Sequence, residues 1–146
     1  MIKISNFYTY HSFLEFYKAR IYDVLCEIDI LIKTSENYIN ITEISKVLNL
    51  NEEEINNIMI SKGLKNINQK SFFTVMEQGS SYICKLYQKE KETGSPYFYT
   101  PEQIAYIYDL DTDIVVAICE ELGIAEITSF LLADIFGEIT IDFFDH

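Results

Sequence analysis

An internal repeat with an offset of sixty residues is the feature that most constrains the fold of this chain. Residues 40–67, NITEISKVLNLNEEEINNIMISKGLKNI, align without a gap with residues 100–127, TPEQIAYIYDLDTDIVVAICEELGIAEI. Apolar residues coincide along both segments, and Gly63 falls over Gly123. Because a repeated apolar pattern indicates a repeated supersecondary unit, the two segments predict one structure that is used twice.

Each segment has the pattern of two short helices joined by a tight turn. In the first segment, Thr42 is predicted to cap one helix and Asn51 the next, with Glu54 completing a capping box. Leu50 in the turn, and its counterpart Leu110, are predicted to be buried between the helices. The glycine after the second helix of each segment is predicted to have a positive φ. Two gapless copies of this pattern predict two helix-turn-helix units.

The second segment also has an alternative interpretation as a calcium-binding loop. Four acidic residues match the first, third, fifth and twelfth places of an EF-hand loop: Asp109, Asp111, Asp113 and Glu120. That loop requires glycine at its sixth place for a sharp turn, and the residue there is Ile114. The repeat also predicts that Asp111 or Thr112 caps the second helix of this segment. The helix-turn-helix interpretation is therefore favoured, and no metal site is predicted.

The N-terminal part of the chain predicts one long amphipathic helix. Ser12 is predicted to begin this helix, with Glu15 at the capping-box position and apolar residues at helical spacing as far as Lys33. A helix of this length measures about 30 Å. It is long enough to pack on both helix-turn-helix units, and it is also suited to pairing with a second copy of the chain.

The remaining segments predict a mainly helical fold with a small β wing. Residues 71–75 alternate and are rich in β-forming side chains, which predicts the strand of the wing. Residues 80–91 and 125–136 predict helices, and residues 139–143 predict a final strand. The domain boundaries predicted from these patterns are 1–37 for the N-terminal helix, 38–98 for a winged-helix-like unit, and 99–146 for an acidic unit. One compact body containing all three is the alternative.

Residues 41–96 resemble the winged-helix modules of bacteriophage antirepressors and related phage regulators. The shared features are a helix-turn-helix that ends in Lys-Gly-Leu at 62–64, a strand, a helical segment that begins with glycine, a lysine-rich run and a Gly-x-Pro turn. The resemblance implies a winged-helix fold for this region. The chain departs from it at residues 52–54, where the expected recognition helix opens with three glutamates, and the second segment lies outside it.

Charge is distributed unevenly along the chain, whose net charge is −12. Residues 62–91 contain six lysines and two glutamates, whereas residues 92–146 contain twelve acidic residues and no lysine or arginine. An acidic surface of this kind repels nucleic acid. It either keeps the protein in solution or docks on a basic partner.

Composition and motifs do not predict catalysis, a cofactor or membrane insertion. His11 and His146 have no partner fixed by spacing, and neither a phosphate-binding glycine loop nor a nucleophile motif is present. The N-terminal ten residues lack the apolar region of a signal peptide, and no apolar run is long enough to cross a membrane. Three cysteines without a CxxC pair indicate free thiols: Cys26, Cys84 and Cys119. We therefore expect a soluble, cytoplasmic protein that is not an enzyme.

The leading hypothesis is a small acidic protein of the phage or mobile-element type that inhibits a nucleic-acid-handling protein. Its acidic surface is predicted to imitate DNA, as in an anti-CRISPR protein, and to bind the basic surface of a host enzyme or polymerase-type complex. The residues predicted to form this surface are Asp109, Asp111, Asp113, Glu120, Glu121 and Glu126.

The alternative hypothesis is a winged-helix transcriptional regulator that binds DNA as a dimer. The first segment and the wing are predicted to contact DNA, and the N-terminal helix is predicted to form the dimer. Amide and lysine side chains are the groups suited to bases and phosphates. The residues predicted for this role are Asn56, Asn57, Lys62, Lys70, Lys85, Lys89 and Lys91.

Overall fold

A computed structural model describes residues 11–140 of the 146-residue chain. This part is mainly helical and contains no β-strand, and none of its helices is both long enough and apolar enough to cross a bilayer. In order, the helices are α1 (Phe13–Tyr17), α2 (Asp23–Thr34), α3 (Ile41–Leu48), α4 (Glu52–Lys62), α5 (Gln69–Gln78), α6 (Tyr82–Thr93), α7 (Pro101–Tyr108), α8 (Thr112–Leu122) and α9 (Leu132–Gly137). The described residues form two compact units, one of residues 11–20 and 93–140 and the other of residues 21–92.

The predicted N-terminal helix is present, but its geometry changes along its length. The Oγ atom of Ser12 accepts a hydrogen bond from the N–H of Glu15 at 3.4 Å, which confirms the predicted cap. Helix α1 then continues into a π-helical turn at Lys18–Tyr22, and α2 follows directly. Helix α1 packs on α9, and α2 packs on α3.

The predicted β wing is wrong, and the winged-helix prediction is not supported. Residues 71–75 lie in α5, which begins with a capping box. Asn68 Oδ1 accepts the N–H of Ser71 at 2.9 Å, and Ser71 Oγ accepts the N–H of Asn68 at 2.8 Å. Phe72 and Val75 are fully buried at helical spacing. The helix cap and this burial override the local β propensity on which the strand prediction rested.

Two parts of the chain repeat the same backbone with an offset of sixty residues. Helices α3 and α7 have eight residues each, and α4 and α8 have eleven each. The turn begins with a left-handed residue in both cases, Asn49 at φ 55° and Asp109 at φ 58°. Gly63 at φ 68° and Gly123 at φ 70° follow the second helices, which confirms the predicted positive φ at both glycines.

The correspondence extends beyond the predicted segments at the N-terminal side. The N–H of Ile39 donates to the carbonyl oxygen of Ile67 at 2.7 Å. Sixty residues later, the N–H of Tyr99 donates to the carbonyl oxygen of Ile127 at 2.8 Å. In each case a backbone hydrogen bond therefore ties the chain just before the first helix to the chain a few residues after the second helix.

A third helical segment completes each repeat. It is α5 in the first, and in the second it is a 3-10 turn at Ser129–Leu131 that leads into α9. The helix predicted for residues 125–136 thus begins later than expected, because its first residues form the pairing with Tyr99. We refer to residues 39–79 as the first copy and to residues 99–139 as the second copy.

Two of the predicted caps differ from the observed ones. Asn40, and not Thr42, caps α3, because its Oδ1 accepts the N–H groups of Thr42 at 2.7 Å and of Glu43 at 3.3 Å. Asn51 caps α4 as predicted, but the carboxylate of Glu54 does not complete a capping box. Instead, Glu54 accepts the N–H and the hydroxyl of Ser80, at 2.8 and 2.9 Å. This carboxylate therefore fixes the turn before α6.

The turn leucines of the two copies differ in burial. Leu50 is buried, with 4% of its surface exposed, so the predicted buried position is confirmed in the first copy. Leu110 is only half-buried, so the same prediction is wrong in the second copy. The repeat therefore fixes the backbone of this turn but not the depth of its apolar side chain.

The strand predicted for residues 139–143 falls mostly outside the described residues. Ile139 is buried, and its carbonyl oxygen accepts the N–H of Phe13 at 2.8 Å. Thr140 forms an isolated antiparallel bridge with Ser12. These contacts tie the end of the second copy to the start of α1.

Candidate functional site

The six predicted partner-binding carboxylates are all exposed on the second copy. They form two groups at opposite ends of α8, which spans about 16 Å. The N-terminal group consists of Asp109, Asp111 and Asp113. The C-terminal group consists of Glu120, Glu121 and Glu126. The structure therefore places the predicted residues in and next to the two ends of one helix.

Each member of the N-terminal group has a role in the local structure. Asp109 is the left-handed residue that ends α7. Asp111 caps α8, since its Oδ1 atom accepts the N–H of Ile114 at 3.3 Å. Asp113 lies in the first turn of α8, where the helix dipole stabilises a negative charge. These carboxylates are accounted for by the stability of the turn and the helix.

The helix in the second copy is incompatible with the EF-hand interpretation. Helix α8 begins at Thr112, so the fourth to twelfth places of the supposed loop are helical. Ile114, at the sixth place, is part of that helix and not of a sharp turn. Among the residues that the structure describes, no three His, Cys, Asp or Glu side chains are grouped so that they could hold a metal ion.

The C-terminal group is placed against the helix dipole. Glu120 and Glu121 lie in the last turn of α8, and that turn contains no basic residue. The C-terminal end of a helix carries a partial negative charge, so an exposed carboxylate there destabilises the helix by about 0.3–1 kcal/mol at low ionic strength. Helix stability therefore does not account for these two glutamates.

The first copy shows that the fold does not require the C-terminal group. At the three equivalent positions it has Ile60, Ser61 and Asn66, and all of them are exposed. Because the two copies form the same helices and the same turn, acidic side chains at these positions are not needed for folding. The charge of the C-terminal group is a property of the second copy's surface.

A further carboxylate lies near this end of α8. Burial raises the pKa of the Cys119 thiol, and the charge of Glu102 raises it further. Glu102 belongs to the first turn of α7, which packs on α8. Sequence reasoning missed this residue because its proximity to the last turns of α8 depends on helix packing. Its alignment with uncharged Thr42 is the only signal that the sequence contains.

The amide and lysine side chains predicted to contact DNA are only partly brought together on α4. Asn57 and Lys62 line a shallow depression of about 180 Å³. The other lining residues are Glu54, Ile58, Ser61 and Gln78. Asn56 is exposed on the same helix but does not line the depression.

The lysines predicted to hold phosphates lie on helices and not on a wing. Lys70 is exposed on α5, and Lys85 is exposed on α6. Lys89 is half-buried on α6. Lys91 Nζ lies 2.6 Å from a carboxylate oxygen of Glu77, and this hydrogen bond raises the pKa of Lys91. These lysines therefore do not form the phosphate-binding edge that a wing provides.

Sequence reasoning also missed three exposed aromatic residues, two just before the second copy and one within it. Tyr97, Phe98 and Phe130 have 75%, 47% and 87% of their surface exposed. Aromatic residues are common in protein cores, so their residue type alone did not mark these three as exposed. The pairing of Tyr99 with Ile127 joins the segment of Tyr97 and Phe98 to the segment of Phe130, and it is a contact between residues distant in the sequence.

Comparison of the chain with protein-family models, with curated proteins and with solved structures finds no match. The arguments for a function therefore come from the geometry of the chain itself.

Proposed function

We propose that the second copy is a protein-docking unit whose carboxylates occupy a basic, nucleic-acid-binding surface of a partner protein. The observation that carries the proposal is the position of Glu120 and Glu121. They oppose the helix dipole at the end of α8, where the first copy has Ile60 and Ser61. Exposed residues that reduce stability are typical of surfaces used for binding.

The charge distribution supports a basic partner. Residues 92–146 contain twelve acidic residues and neither lysine nor arginine, so the second copy itself carries no cation that would repel a basic surface. The two carboxylate groups are separated by the length of α8, about 16 Å, which equals the rise of about five nucleotides of one DNA strand. Carboxylates with this spacing take the place of phosphates against lysine and arginine side chains.

The proposed activity is inhibition by competition with nucleic acid. A partner whose basic surface is covered by the second copy cannot bind its DNA or RNA at the same time. This is the activity of a DNA mimic of the phage or mobile-element type, directed against a CRISPR nuclease or another nucleic-acid enzyme. Because both partners are charged, the complex forms quickly and weakens steeply with salt.

The test measures displacement of a labelled DNA duplex from a panel of purified nucleic-acid enzymes that includes Cas nucleases. The full chain is compared with Glu120→Gln/Glu121→Gln. The matched control is Glu43→Gln/Glu53→Gln in the first copy, which removes the same charge from exposed positions. We expect the first double variant to displace DNA at least tenfold less well, and the control to stay close to the unchanged chain.

Three outcomes contradict the proposal. In the first, no enzyme of the panel releases its DNA. In the second, direct binding of the chain to an enzyme free of DNA is equally strong in 0.05 M and 0.5 M salt, which excludes a charge-based contact. In the third, both double variants weaken displacement equally, which assigns the effect to net charge and not to the surface at the end of α8.

We propose as a second candidate that the first copy contacts DNA in a dimeric regulator. It is favoured by the depression on α4, where Asn57, Lys62 and Gln78 offer hydrogen-bond donors. It is opposed by Glu52 and Glu53 at the start of α4, which repel phosphate. In this candidate the N-terminal helix forms the dimer, as the sequence analysis predicted.

A gel shift of the DNA upstream of the coding sequence, at low salt, tests the second candidate. Lys62→Ala and Lys70→Ala are expected to weaken binding to any DNA sequence about equally, because lysine contacts phosphate without reading bases. Absence of a shift at low salt rejects DNA binding by the first copy.

A further inference from the structure

Three exposed aromatic residues lie in the same compact unit as the proposed docking surface. We call Tyr97, Phe98 and Phe130 the aromatic patch. The rings of Tyr97 and Phe98 are 4.6 Å apart and meet edge to face at 76°. Phe130 is the most exposed large apolar residue in the part of the chain that the structure describes, at 87%.

Backbone pairing brings the two parts of the aromatic patch together. Tyr99 and Ile127 exchange two hydrogen bonds, at 2.8 and 3.0 Å, in an antiparallel bridge. This single bridge holds the chain that directly follows Phe98 against the chain that leads to Phe130. The first two residues of the patch therefore lie beside the segment that leads to Phe130. Glu126, a member of the C-terminal group, directly precedes the bridge.

The first copy shows that folding does not require this patch. Sixty residues earlier the equivalent positions are Asn37, Tyr38 and Lys70, and all three are exposed. The chain thus pairs Ile39 with Ile67 through one backbone hydrogen bond, and forms a third helical segment, with a polar and a charged residue at two of these positions. The aromatic side chains at positions 97 and 130 therefore point to contact with another molecule.

We propose that the aromatic patch binds arginine side chains of the basic partner. This inference rests on the proposed function and specifies the partner as rich in arginine. A guanidinium group stacks on aromatic faces and pairs with carboxylates at the same time, whereas the ammonium group of lysine is compact and strongly hydrated. The patch offers both kinds of contact, since exposed Glu126 and Asp134 flank it along the chain.

Charge complementarity favours an arginine-bearing segment as the molecule that binds the aromatic patch. An apolar or acidic partner would meet the exposed carboxylates of the second copy, which itself contains no lysine or arginine. An arginine-bearing segment satisfies the carboxylates and the aromatic faces together. The aromatic patch and the C-terminal group then act as one recognition surface.

The experiment uses the full chain carrying Phe130→Trp, because the chain has no tryptophan and this substitution keeps an aromatic ring at the site. Tryptophan fluorescence is followed during titration with nona-arginine and with nona-lysine, which carry equal charge. We expect the arginine peptide to bind about three- to tenfold more tightly, owing to stacking that the lysine peptide lacks.

Two matched variants of the Phe130→Trp chain show which ring causes the preference for arginine. Phe98→Ala removes an exposed ring from the patch, and Tyr38→Ala removes an exposed ring from the equivalent position of the first copy. We expect the preference for arginine to disappear with Phe98→Ala and to persist with Tyr38→Ala. Neither ring is buried, so circular dichroism should show both variants folded.

The outcomes separate this inference from the proposed function. If both peptides bind equally and only Glu120→Gln/Glu121→Gln weakens them, the arginine inference is overturned while the acidic docking surface stands. If neither peptide binds at low salt, both proposals are overturned. If Phe98→Ala abolishes self-association of the chain and leaves the affinity for both peptides unchanged, the patch is an interface between two chains and the inference is wrong.

Discussion

Gly79 approaches Cys84 so closely that a Cβ atom on the glycine would lie 2.5 Å from the Cys84 Sγ atom. The same Cβ would lie 3.0 Å from a methyl carbon of Leu50. Gln88 Nε2 donates to the carbonyl oxygen of Gly79 at 2.9 Å and holds the backbone in place. Burial raises the pKa of the Cys84 thiol, so a neutral side chain is packed here. Glycine at position 79 therefore allows the helix-turn-helix of the first copy to contact α6.

Gly79→Ala is expected to destabilise the protein by about 1–3 kcal/mol, because the added methyl group overpacks a closed site. In the double variant Gly79→Ala/Cys84→Ala, the loss should be smaller than the sum of the two single losses, since the clashing sulfur is removed. Urea unfolding measures each free energy. Gly137→Ala is the control, as its nearest contact would be 3.8 Å away. Additive losses would show that the two residues do not interact.

Leu50→Ala is expected to destabilise the protein by about 2–5 kcal/mol, as for other buried leucines. Leu110→Ala should cost clearly less, because Leu110 is half-buried while Leu50 is 4% exposed. The two leucines occupy matched positions of the two copies. Chemical denaturation of both variants measures the loss in unfolding free energy at each position. Equal losses would contradict the difference in burial.

Gly63→Ala and Gly123→Ala are each expected to cost about 1 kcal/mol. Both glycines have φ near 70°, which an alanine side chain disfavours, although nothing lies within 4 Å of the added Cβ. Asparagine tolerates the left-handed region better, so the corresponding Gly→Asn variants should lose less stability than the alanine variants. Thermal unfolding ranks the stabilities of the alanine and asparagine variants. An alanine variant more stable than the unchanged chain would exclude a left-handed backbone at that glycine.

Calcium is expected to leave the melting temperature unchanged, because the supposed EF-hand loop is helical from Thr112 onward. Asp111→Ala should cost about 1 kcal/mol through loss of the helix cap. Asp113→Ala should cost at most about 1 kcal/mol, since it removes only a favourable charge from the first turn. A melting temperature that rises in millimolar calcium, and does so less in Asp113→Ala, would restore the metal-site interpretation.

The repeated part of the fold is predictable because its signals are local. Asn51 and the two glycines specify the helix ends, and both copies show them at the expected positions. The wing prediction failed because residues 71–75 favour a strand in isolation, while the capping box between Asn68 and Ser71 starts a helix. The burial of Leu110 was not predictable, since it depends on which residues pack against the turn.

The candidate site was predictable as a set of charges but not as a geometry. An acidic stretch marks Glu120 and Glu121, yet their opposition to the helix dipole becomes evident only when the end of α8 is known. The aromatic patch depends on the bridge between Tyr99 and Ile127, which joins residues separated by a helix-turn-helix. Patterns within short windows do not contain such pairings.

The absence of lysine and arginine after Lys91 has a practical chemical consequence. Trypsin cleaves only after these two residues, so it cuts nowhere between residues 92 and 146 and leaves the whole second copy in one peptide. Amine-reactive dyes and cross-linkers likewise attach to lysines up to Lys91 and leave the second copy unmodified. Amine chemistry therefore attaches no group to the second copy itself, whereas carbodiimide coupling to carboxylates modifies its acidic side chains directly.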